Sequence, residues 1–271
     1  MKHLLTPYTF GCMSLGKDPA HPEADVALVR KAMDTGISFH GSRTYNNGFS
    51  FMILRLAFDQ ARHRIPNMIH KVRDASPVLM RFETEDICDR LGLDHLDIAQ
   101  LTAMDRDPGN LVDQLQAGDG PLVQELADLK HRGLIHHAVL FMDKHNADAS
   151  VAAAQHELID GVTLYWNALQ RSCTDTAWAE IVRRQIPVLA IRTLGGWRDP
   201  GLAQQREALQ QTLPDIDPVN LALRLAASQA EILTSIGGTA SPEHFDAFLA
   251  AANAATPLTD PQLRIIESIR A

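Results

Sequence analysis

The chain has 271 residues, of which 45% are hydrophobic, and a net charge of −8 at pH 7, enough apolar residues for one large domain or two small ones. Acidic and basic residues are mixed and no basic run exceeds two residues, so a nucleic-acid-binding protein is not indicated. No run of roughly 18 apolar residues predicts a membrane span, and the amino-terminal residues are too poor in apolar side chains for a signal peptide. The three cysteines lie far apart without a CxxC pair, which argues against a disulfide framework and a zinc site. We therefore expect a cytoplasmic protein that holds no metal.

Short apolar segments alternate with amphipathic segments from one end of the chain to the other. The apolar segments predict strands at residues 8–14, 37–39, 67–72, 96–101, 134–142, 161–165, 186–191 and 232–236. The amphipathic segments predict helices at residues 22–34, 49–63, 77–91, 121–132, 147–156, 176–184, 218–229, 241–253 and 260–270.

This alternation predicts the fold class. Strands that are short, unbroken apolar runs are typical of sheets buried on both faces, and a helix between consecutive strands implies parallel pairing with right-handed crossovers. Eight such units in about 250 residues match a closed (β/α)8 TIM barrel, so we expect residues 1–271 to form a single barrel domain. An open doubly wound sheet is the competing fold, but no GxGxxG fingerprint follows the first predicted strand.

In a barrel of this kind the active site lies at the carboxyl ends of the strands. That rule selects Cys12, 40–45, Lys71, 102–105, 141–143, 165–167, 192–197 and 237–241. Tyr45 and Lys71 follow adjacent strands, so we expect them to be neighbours. An ammonium beside a phenol lowers the pKa of the phenol, and Tyr45 would then donate a proton near neutral pH. Two simpler interpretations stay open: a half-buried Tyr45 bonded to a neighbour, and Lys71 paired with a surface carboxylate.

Five segments in a fixed order carry a family resemblance. They are 10–16 (FGCMSLG), 32–45 ending in Tyr45, 91–97 (LGLDHLD), Asn167 with Arg171, and 236–244 (IGGTASPEH). Their order resembles that of the aldo-keto reductase family over residues 10–248, and 91–97 is the most specific match. Lys71 falls on the catalytic lysine of that family.

The resemblance implies a barrel that binds NADPH across its strand ends and reduces an aldehyde or ketone, a small-molecule carbonyl substrate. In that family hydride leaves the nicotinamide while a tyrosine protonates the developing alkoxide; carried over, Tyr45 is the acid and Lys71 lowers its pKa. The implied catalytic positions are Tyr45, Lys71, His40 and Thr102. The implied cofactor-binding positions are Gly11, Cys12, Met13, Asn167, Arg192, Leu194, Gly238, Thr239, Ser241 and His244.

Two catalytic positions depart from the family. His40, or in the other possible alignment Gly41, stands where the family has the aspartate that pairs with its lysine. An imidazole at position 40 can accept a bond from Lys71 only if it is neutral. Thr102 stands where the family has a catalytic histidine, and its hydroxyl can orient a carbonyl but titrates no proton.

The cofactor-binding positions depart from the family more at the nicotinamide end than at the phosphate end. Phe141, Met142 and Thr163 stand where the family holds the nicotinamide amide. Arg192 lies beside the expected pyrophosphate path, where a guanidinium binds phosphate well, and hydroxyls at 239 and 241 precede a helix N-terminus. His244 replaces a frequent arginine, which weakens the expected preference for NADP(H) and leaves NAD(H) open.

Three functions remain open on the sequence. The first is an NADP(H)-dependent carbonyl reductase that uses Tyr45 and Lys71. The second is a barrel that keeps the shape without catalysis and acts as a binding or partner protein. The third is a lyase or isomerase in which Lys71 is a nucleophile. The oligomeric state is not predicted.

Overall fold

The computed structural model describes residues 1–103, 110–142, 147–195 and 199–270. Within these residues eight parallel strands close into a barrel in chain order. The strands are β1 (Tyr8–Gly11), β2 (Ser38–Gly41), β3 (Met68–Arg73), β4 (Leu96–Ala103), β5 (Ile135–Met142), β6 (Gly161–Tyr165), β7 (Val188–Ile191) and β8 (Ile232–Gly237). The helices are α1 (Glu23–Asp34), α2 (Phe49–Asp59), α3 (Pro77–Leu91), α4 (Leu111–Ala117), α5 (Pro121–His131), α6 (Ala147–Ala153), α7 (Asp175–Arg184), α8 (Ala203–Thr212), α9 (Pro218–Ala227), α10 (Pro242–Ala254) and α11 (Asp260–Arg270). The predicted (β/α)8 barrel is confirmed.

Several helices begin at a polar residue followed by a proline. Ser76, Asp217 and Ser241 cap α3, α9 and α10, and each side chain accepts a hydrogen bond from a backbone N–H of the first turn. The proline that follows has a fixed φ and no N–H to satisfy, so it suits the first helical position. These local signals explain why the three helix starts agree with the predicted ones.

The boundaries differ most around the first strands. β1 ends at Gly11, and Cys12–Ser14 forms a 3-10 turn instead of continuing the strand. The helix predicted at 49–63 ends at Asp59, and a separate 3-10 turn covers Arg62–Arg64. Helices α4 and α8 were not predicted. Among the described helices, none is long and apolar enough to cross a membrane.

The inner face of the barrel is filled in layers. Aliphatic side chains from five strands form one cluster, against which the first residues of the chain pack: Ile69, Ile98, Val139, Leu189 and Ile236. In the same interior the Thr9 hydroxyl bonds to the hydroxyls of Ser38 at 2.6 Å and Thr234 at 2.7 Å. His40 and Lys71 follow Ser38 and Ile69 by two residues, so they lie on the same inward face, one layer nearer the carboxyl ends.

Candidate active site

A cavity of about 490 Å³ lies at the carboxyl ends of the strands, where enzymes with this fold have their active sites. Its volume falls in the range of small-molecule sites. The lining brings together eight of the residues that the resemblance implied as catalytic or cofactor-binding: Gly11, Met13, His40, Tyr45, Lys71, Arg192, Leu194 and Gly238. The predicted positions 104–105, 143, 196–197 and the side chain of Met142 lie outside the described residues.

Tyr45 and Lys71 meet in this cavity. The Lys71 Nζ lies 5.2 Å from the centroid of the Tyr45 ring and 5.7 Å from that of Phe141. An ammonium at this distance from two aromatic faces is held by their quadrupoles. The two residues predicted as neighbours from strand order are therefore neighbours in space.

A tight turn after β2 sets the position of Tyr45. The tyrosine begins the 3-10 segment Tyr45–Gly48, in which Asn46 and Asn47 have φ of 48° and 57°. Asparagine tolerates this left-handed conformation better than most residues. The Asn46 side chain donates to the carbonyls of Met13 at 2.9 Å and Leu15 at 2.6 Å. The turn that carries Tyr45 is thus bonded to the segment after β1.

Burial governs the acidity of both groups. It raises the pKa of the Tyr45 phenol above its usual range, with a smaller contribution from the Cys12 thiol. It also lowers the pKa of the Lys71 amine. The shift in the pKa of the phenol is opposite to the predicted one, because burial removes the water that would stabilise a phenolate. Tyr45 consequently keeps its proton at neutral pH.

His40 is a neutral imidazole bonded to a glutamine. Its Nε2 lies 2.6 Å from Gln100 Oε1, and burial, with the Lys71 charge second, lowers the pKa of His40 to about 3. A neutral ring that donates from Nε2 to an amide oxygen keeps its proton on Nε2. Among the described residues, Lys71 makes no hydrogen bond to His40, so the imidazole does not replace an orienting carboxylate in this arrangement.

Thr102 does not line the cavity. Its side chain is buried, and its hydroxyl donates to the Gln100 carbonyl at 3.2 Å. The strand register pairs it with Arg73, two residues beyond Lys71. The prediction that Thr102 orients a carbonyl substrate stays a prediction, and its hydroxyl already has an acceptor.

Arg192 enters the cavity from the opposite side, after β7. Its backbone has φ of 55°, and its carbonyl accepts from the Asn167 side chain at 3.0 Å. Its guanidinium carbon lies 5.0 Å from the centroid of the Tyr165 ring. Unfavourable backbone conformations of this kind cluster at ligand sites. Asn167, predicted as a cofactor ligand, thus acts on the cavity through Arg192.

Glycines bring β1 and β8 into near contact beside the cavity. A Cβ added to Gly238 would lie 2.4 Å from the Gly11 carbonyl oxygen, and one added to Gly11 would lie 3.3 Å from the backbone of Gly237. The glycine predicted in the first strand therefore allows close approach of another backbone. Larger residues would also narrow the cavity that these glycines line.

The other predicted cofactor residues lie outside the lining. The Cys12 thiol is buried and donates to the Phe10 carbonyl at 3.7 Å. Thr239 Oγ1 accepts from the Ser241 N–H at 3.0 Å, and Ser241 Oγ donates to Glu243 at 2.7 Å while it caps α10. His244 is exposed in the first turn of that helix. These side chains remain predicted ligands of an adenosine phosphate, which requires a ligand that extends beyond the cavity.

Aromatic residues complete the lining. The rings of Phe141 and Tyr165 lie 6.0 Å apart, and Phe248 of α10 joins them in the lining. Strand-end position selected the first two. Phe248 was missed, because the helical pattern that marks it as apolar does not tell whether it faces the barrel core or its mouth.

The charged side chains that line the cavity, among the described residues, are all positive. Of the described residues that line it, Lys71 and Arg192 are the charged ones and neither aspartate nor glutamate is present. A second cavity of about 530 Å³ beside α11 differs, because its Arg171 and Arg270 face Asp175 and Glu267. A partly dry site with two cations and no acid favours an anionic ligand.

Solved structures with the same fold are aldo-keto reductases. The chain is 21% identical to one from Bacillus halodurans in its holo form, with a TM-score of 0.78 and 98% of this chain and 93% of that chain covered. An enzyme from Klebsiella pneumoniae in complex with NADPH is 20% identical, with a TM-score of 0.77 and coverage of 98% and 91%. A Klebsiella pneumoniae structure with NADP and acetate is 20% identical, with a TM-score of 0.73 and coverage of 98% and 92%. No protein-family model and no curated protein matches the sequence. The resemblance stated from the sequence motifs is confirmed at the level of the fold.

Proposed function

We propose that this barrel is an NADP(H)-dependent reductase of small aldehydes or ketones, acting in the cytoplasm. The observation that carries the proposal is the meeting of the Tyr45 phenol and the Lys71 ammonium in a cavity at the strand ends. The fold shared with structures that contain NADPH or NADP supports it. NAD(H) is the alternative cofactor, since His244 offers a weaker phosphate partner than an arginine.

The residues at the Arg192 end of the cavity suit the phosphates of NADPH. Arg192 is a cation without an acidic residue beside it in the described lining. The glycines of β1 and β8 have no side chains to cover the adjacent backbone. At the other end Phe141 offers an apolar wall. When bound, NADPH supplies the hydride. Arg192 would hold phosphate, while Thr239 and His244 are the proposed contacts of the adenosine end; the Ser241 hydroxyl caps α10 and bonds to Glu243 instead.

Tyr45 supplies the proton. A phenol whose pKa is raised by burial is fully protonated at neutral pH, so it can donate to an oxygen that becomes negative. The phenolate left behind is stabilised by the Lys71 ammonium. Their electrostatic attraction is stronger because the site is partly shielded from water. His40, neutral and bonded to Gln100, keeps a second positive charge away from Lys71.

Two other functions have support in the structure. A barrel without catalysis is favoured by Thr102, whose hydroxyl is bonded to a backbone carbonyl instead of facing the cavity. Schiff-base chemistry on Lys71 is favoured by the lowered pKa of its amine, since a neutral amine is the nucleophile. Borohydride trapping of an aldehyde on Lys71, detected by mass spectrometry, would identify the latter.

The first experiment is a thermal shift with NADPH, with NADH and without ligand, followed by NADPH oxidation over a panel of aldehydes and ketones. A ligand that binds the native state raises Tm, so we expect a larger rise with NADPH than with NADH. Substrate-dependent oxidation of NADPH is the second expected result. The absence of any shift at millimolar cofactor would overturn the proposal, and a shift without turnover would favour the non-catalytic barrel.

A further inference from the structure

A cluster of metal-ligating side chains lies at the amino-terminal ends of β4 and β5, at the opposite end of the barrel from the cavity. It consists of His95, Asp97 and His136, each of which offers a ligand atom within 4.8 Å of the other two. None of these residues lines the cavity. The sequence did not predict a metal site here, because the ligands are far apart along the chain. His95 and Asp97 lie two residues apart at the start of β4, and His136 lies in β5.

The strand register brings these residues to one face. β4 and β5 pair in parallel with Leu96 opposite Ile135 and Ile98 opposite His137. Ile98 belongs to the inner aliphatic cluster, so the alternation of a strand turns Asp97 to the outer face. His136 precedes the inward position 137 on the neighbouring strand and shares that outer face. His95, two residues before Asp97, lies on the same side at the start of the strand.

The carboxylate of this cluster is held in place by the backbone. Asp97 Oδ2 accepts from the Met68 N–H of β3 at 2.8 Å. Its other oxygen, Oδ1, lies 3.4 Å from His95 Nε2. A carboxylate fixed through one oxygen is oriented for a metal on the other, in the way that outer-shell hydrogen bonds orient metal ligands.

The two imidazoles lie face to face. The ring centroids of His95 and His136 are 3.8 Å apart with an interplanar angle of 25°. His136 is exposed while His95 and Asp97 are half-buried. The cluster is thus open to solvent on one side, where a turn of the exposed His136 ring would bring its nitrogen toward a shared ion.

We propose that His95, Asp97 and His136 bind a divalent transition-metal ion, with Zn²⁺ as the favoured species and water in the remaining position. Two imidazoles and one carboxylate suit zinc and its neighbours, whereas calcium and magnesium prefer oxygen ligands. Zinc bonds of about 2.1 Å put tetrahedral ligand atoms about 3.4 Å apart, which the His95–Asp97 pair already matches. Rotation of the exposed His136 side chain completes the site.

Such an ion would link β4 to β5 and, through Asp97 and Met68, to β3. It would stabilise the native barrel, because the three ligands converge only when these strands are paired. The amino-terminal face of this fold carries stability and not chemistry. The site is therefore independent of the proposed reductase function.

The test is titration of chelator-treated protein with ZnCl₂ by isothermal calorimetry, together with the visible absorption spectrum of the Co²⁺ form. We expect one equivalent of bound Zn²⁺, a rise in Tm with zinc and none with magnesium. His136→Asn should weaken binding by more than about tenfold, the size of loss that follows removal of an outer-shell partner. The double variant His95→Asn/His136→Asn should lose both the binding and the Tm rise.

His21→Asn is the matched control, because His21 is an exposed histidine in the loop after β1, at the other end of the barrel. It should bind zinc as the unaltered protein does. Because His136 is exposed, its single variant is expected to fold, and Tm without metal verifies this. Equal affinity in the control and in His136→Asn, or no heat of binding up to millimolar zinc, would overturn the proposal. NADPH-induced Tm shifts should be the same in all variants.

Discussion

The half of the cavity built by β2 and β3 differs from the half built by β7 and β8 in what surrounds its cation. Lys71 lies beside a half-buried phenol and a buried, neutral imidazole. Arg192 lies over a tyrosine ring on a left-handed turn, next to bare glycine backbone. The proposed proton donor thus lies in the first half, and the group suited to hold an anion lies in the second. Under the proposed function, this difference separates catalysis from cofactor binding within one cavity, so variants of one half test it without altering the other.

The largest expected effect comes from a substitution in the half of the cavity built by β2 and β3. Tyr45→Phe removes the proposed proton donor and keeps the ring that packs against Lys71. Loss of a positioned general acid costs about 10²–10⁴-fold in rate, so kcat/KM for NADPH-dependent carbonyl reduction should fall by that factor. The NADPH-induced Tm shift should persist, because the second half is intact.

Tyr165→Phe is the matched control for this variant. It removes a phenol from the lining while preserving the ring next to Arg192. Its effect on turnover should be far smaller than that of Tyr45→Phe. Equal losses in the two variants would contradict the assignment of Tyr45 as the acid and would point to a general change in the cavity.

Breaking the second half should separate affinity from turnover. Arg192→Gln removes the guanidinium proposed to hold phosphate, and a charge-assisted hydrogen bond contributes roughly 1.5–3 kcal/mol. The Kd for NADPH, measured by fluorescence titration, should therefore rise about 10- to 100-fold, with little change of kcat at saturating cofactor. Arg183→Gln, which alters an exposed ion pair with Glu180, should leave Kd unchanged. A fall in kcat without a change in Kd would place Arg192 in the chemistry instead.

Lowering the pH should reduce the stability of the barrel through the β2–β3 side more than through the β7–β8 side. His70 lies behind that half, fully buried against Phe51 of α2 with both ring nitrogens lacking partners among the described residues. Burial lowers the pKa of His70 from 6.5 to about 3. Below pH 6.5 the unfolded chain therefore takes up a proton that the native chain does not, and stability falls as the pH falls toward 3.

This linkage predicts the behaviour of His70→Leu. Between pH 7 and pH 5 the single histidine should account for about 2 kcal/mol of lost unfolding free energy, so the variant should lose less stability over that interval than the unaltered protein. Urea denaturation at the two pH values measures the difference. The exposed His21→Asn variant should show the full loss. Parallel behaviour of His70→Leu and the unaltered protein would mean that the imidazole is protonated in the native state.

The fold was predictable because its signals are local. Apolar runs of strand length and the cap-and-proline starts at Ser76, Asp217 and Ser241 determine most elements without reference to distant residues. Helix α8 was missed because it lacks such a local signal. It buries just Leu209 and so has almost no apolar pattern. Strand alternation then yields the barrel, since parallel strands joined by helices have few ways to pack.

The site was predictable as far as strand ends determine it. Tyr45 and Lys71 follow adjacent strands, and adjacency along the barrel is adjacency in space. What a sequence does not contain is how each polar atom is already bonded and how dry its surroundings are. The commitment of the Thr102 hydroxyl to a carbonyl and the upward shift in the pKa of Tyr45 depend on the packed structure, and both changed the interpretation of the site.

The smallest expected effect tests whether the second half reaches as far as α10. Ser241 was predicted to donate to a cofactor phosphate, but its hydroxyl caps α10 by accepting from the His244 N–H at 3.2 Å and donates to Glu243 at 2.7 Å. Ser241→Ala should therefore cost about 1 kcal/mol of stability, as the loss of a helix cap does, and change the Kd for NADPH by less than about twofold. Ser76→Ala, which removes the equivalent cap of α3, is the control for stability. A tenfold rise in Kd for NADPH in Ser241→Ala alone would show that the hydroxyl leaves its cap to bind phosphate, and the binding half of the cavity would then extend along the start of α10.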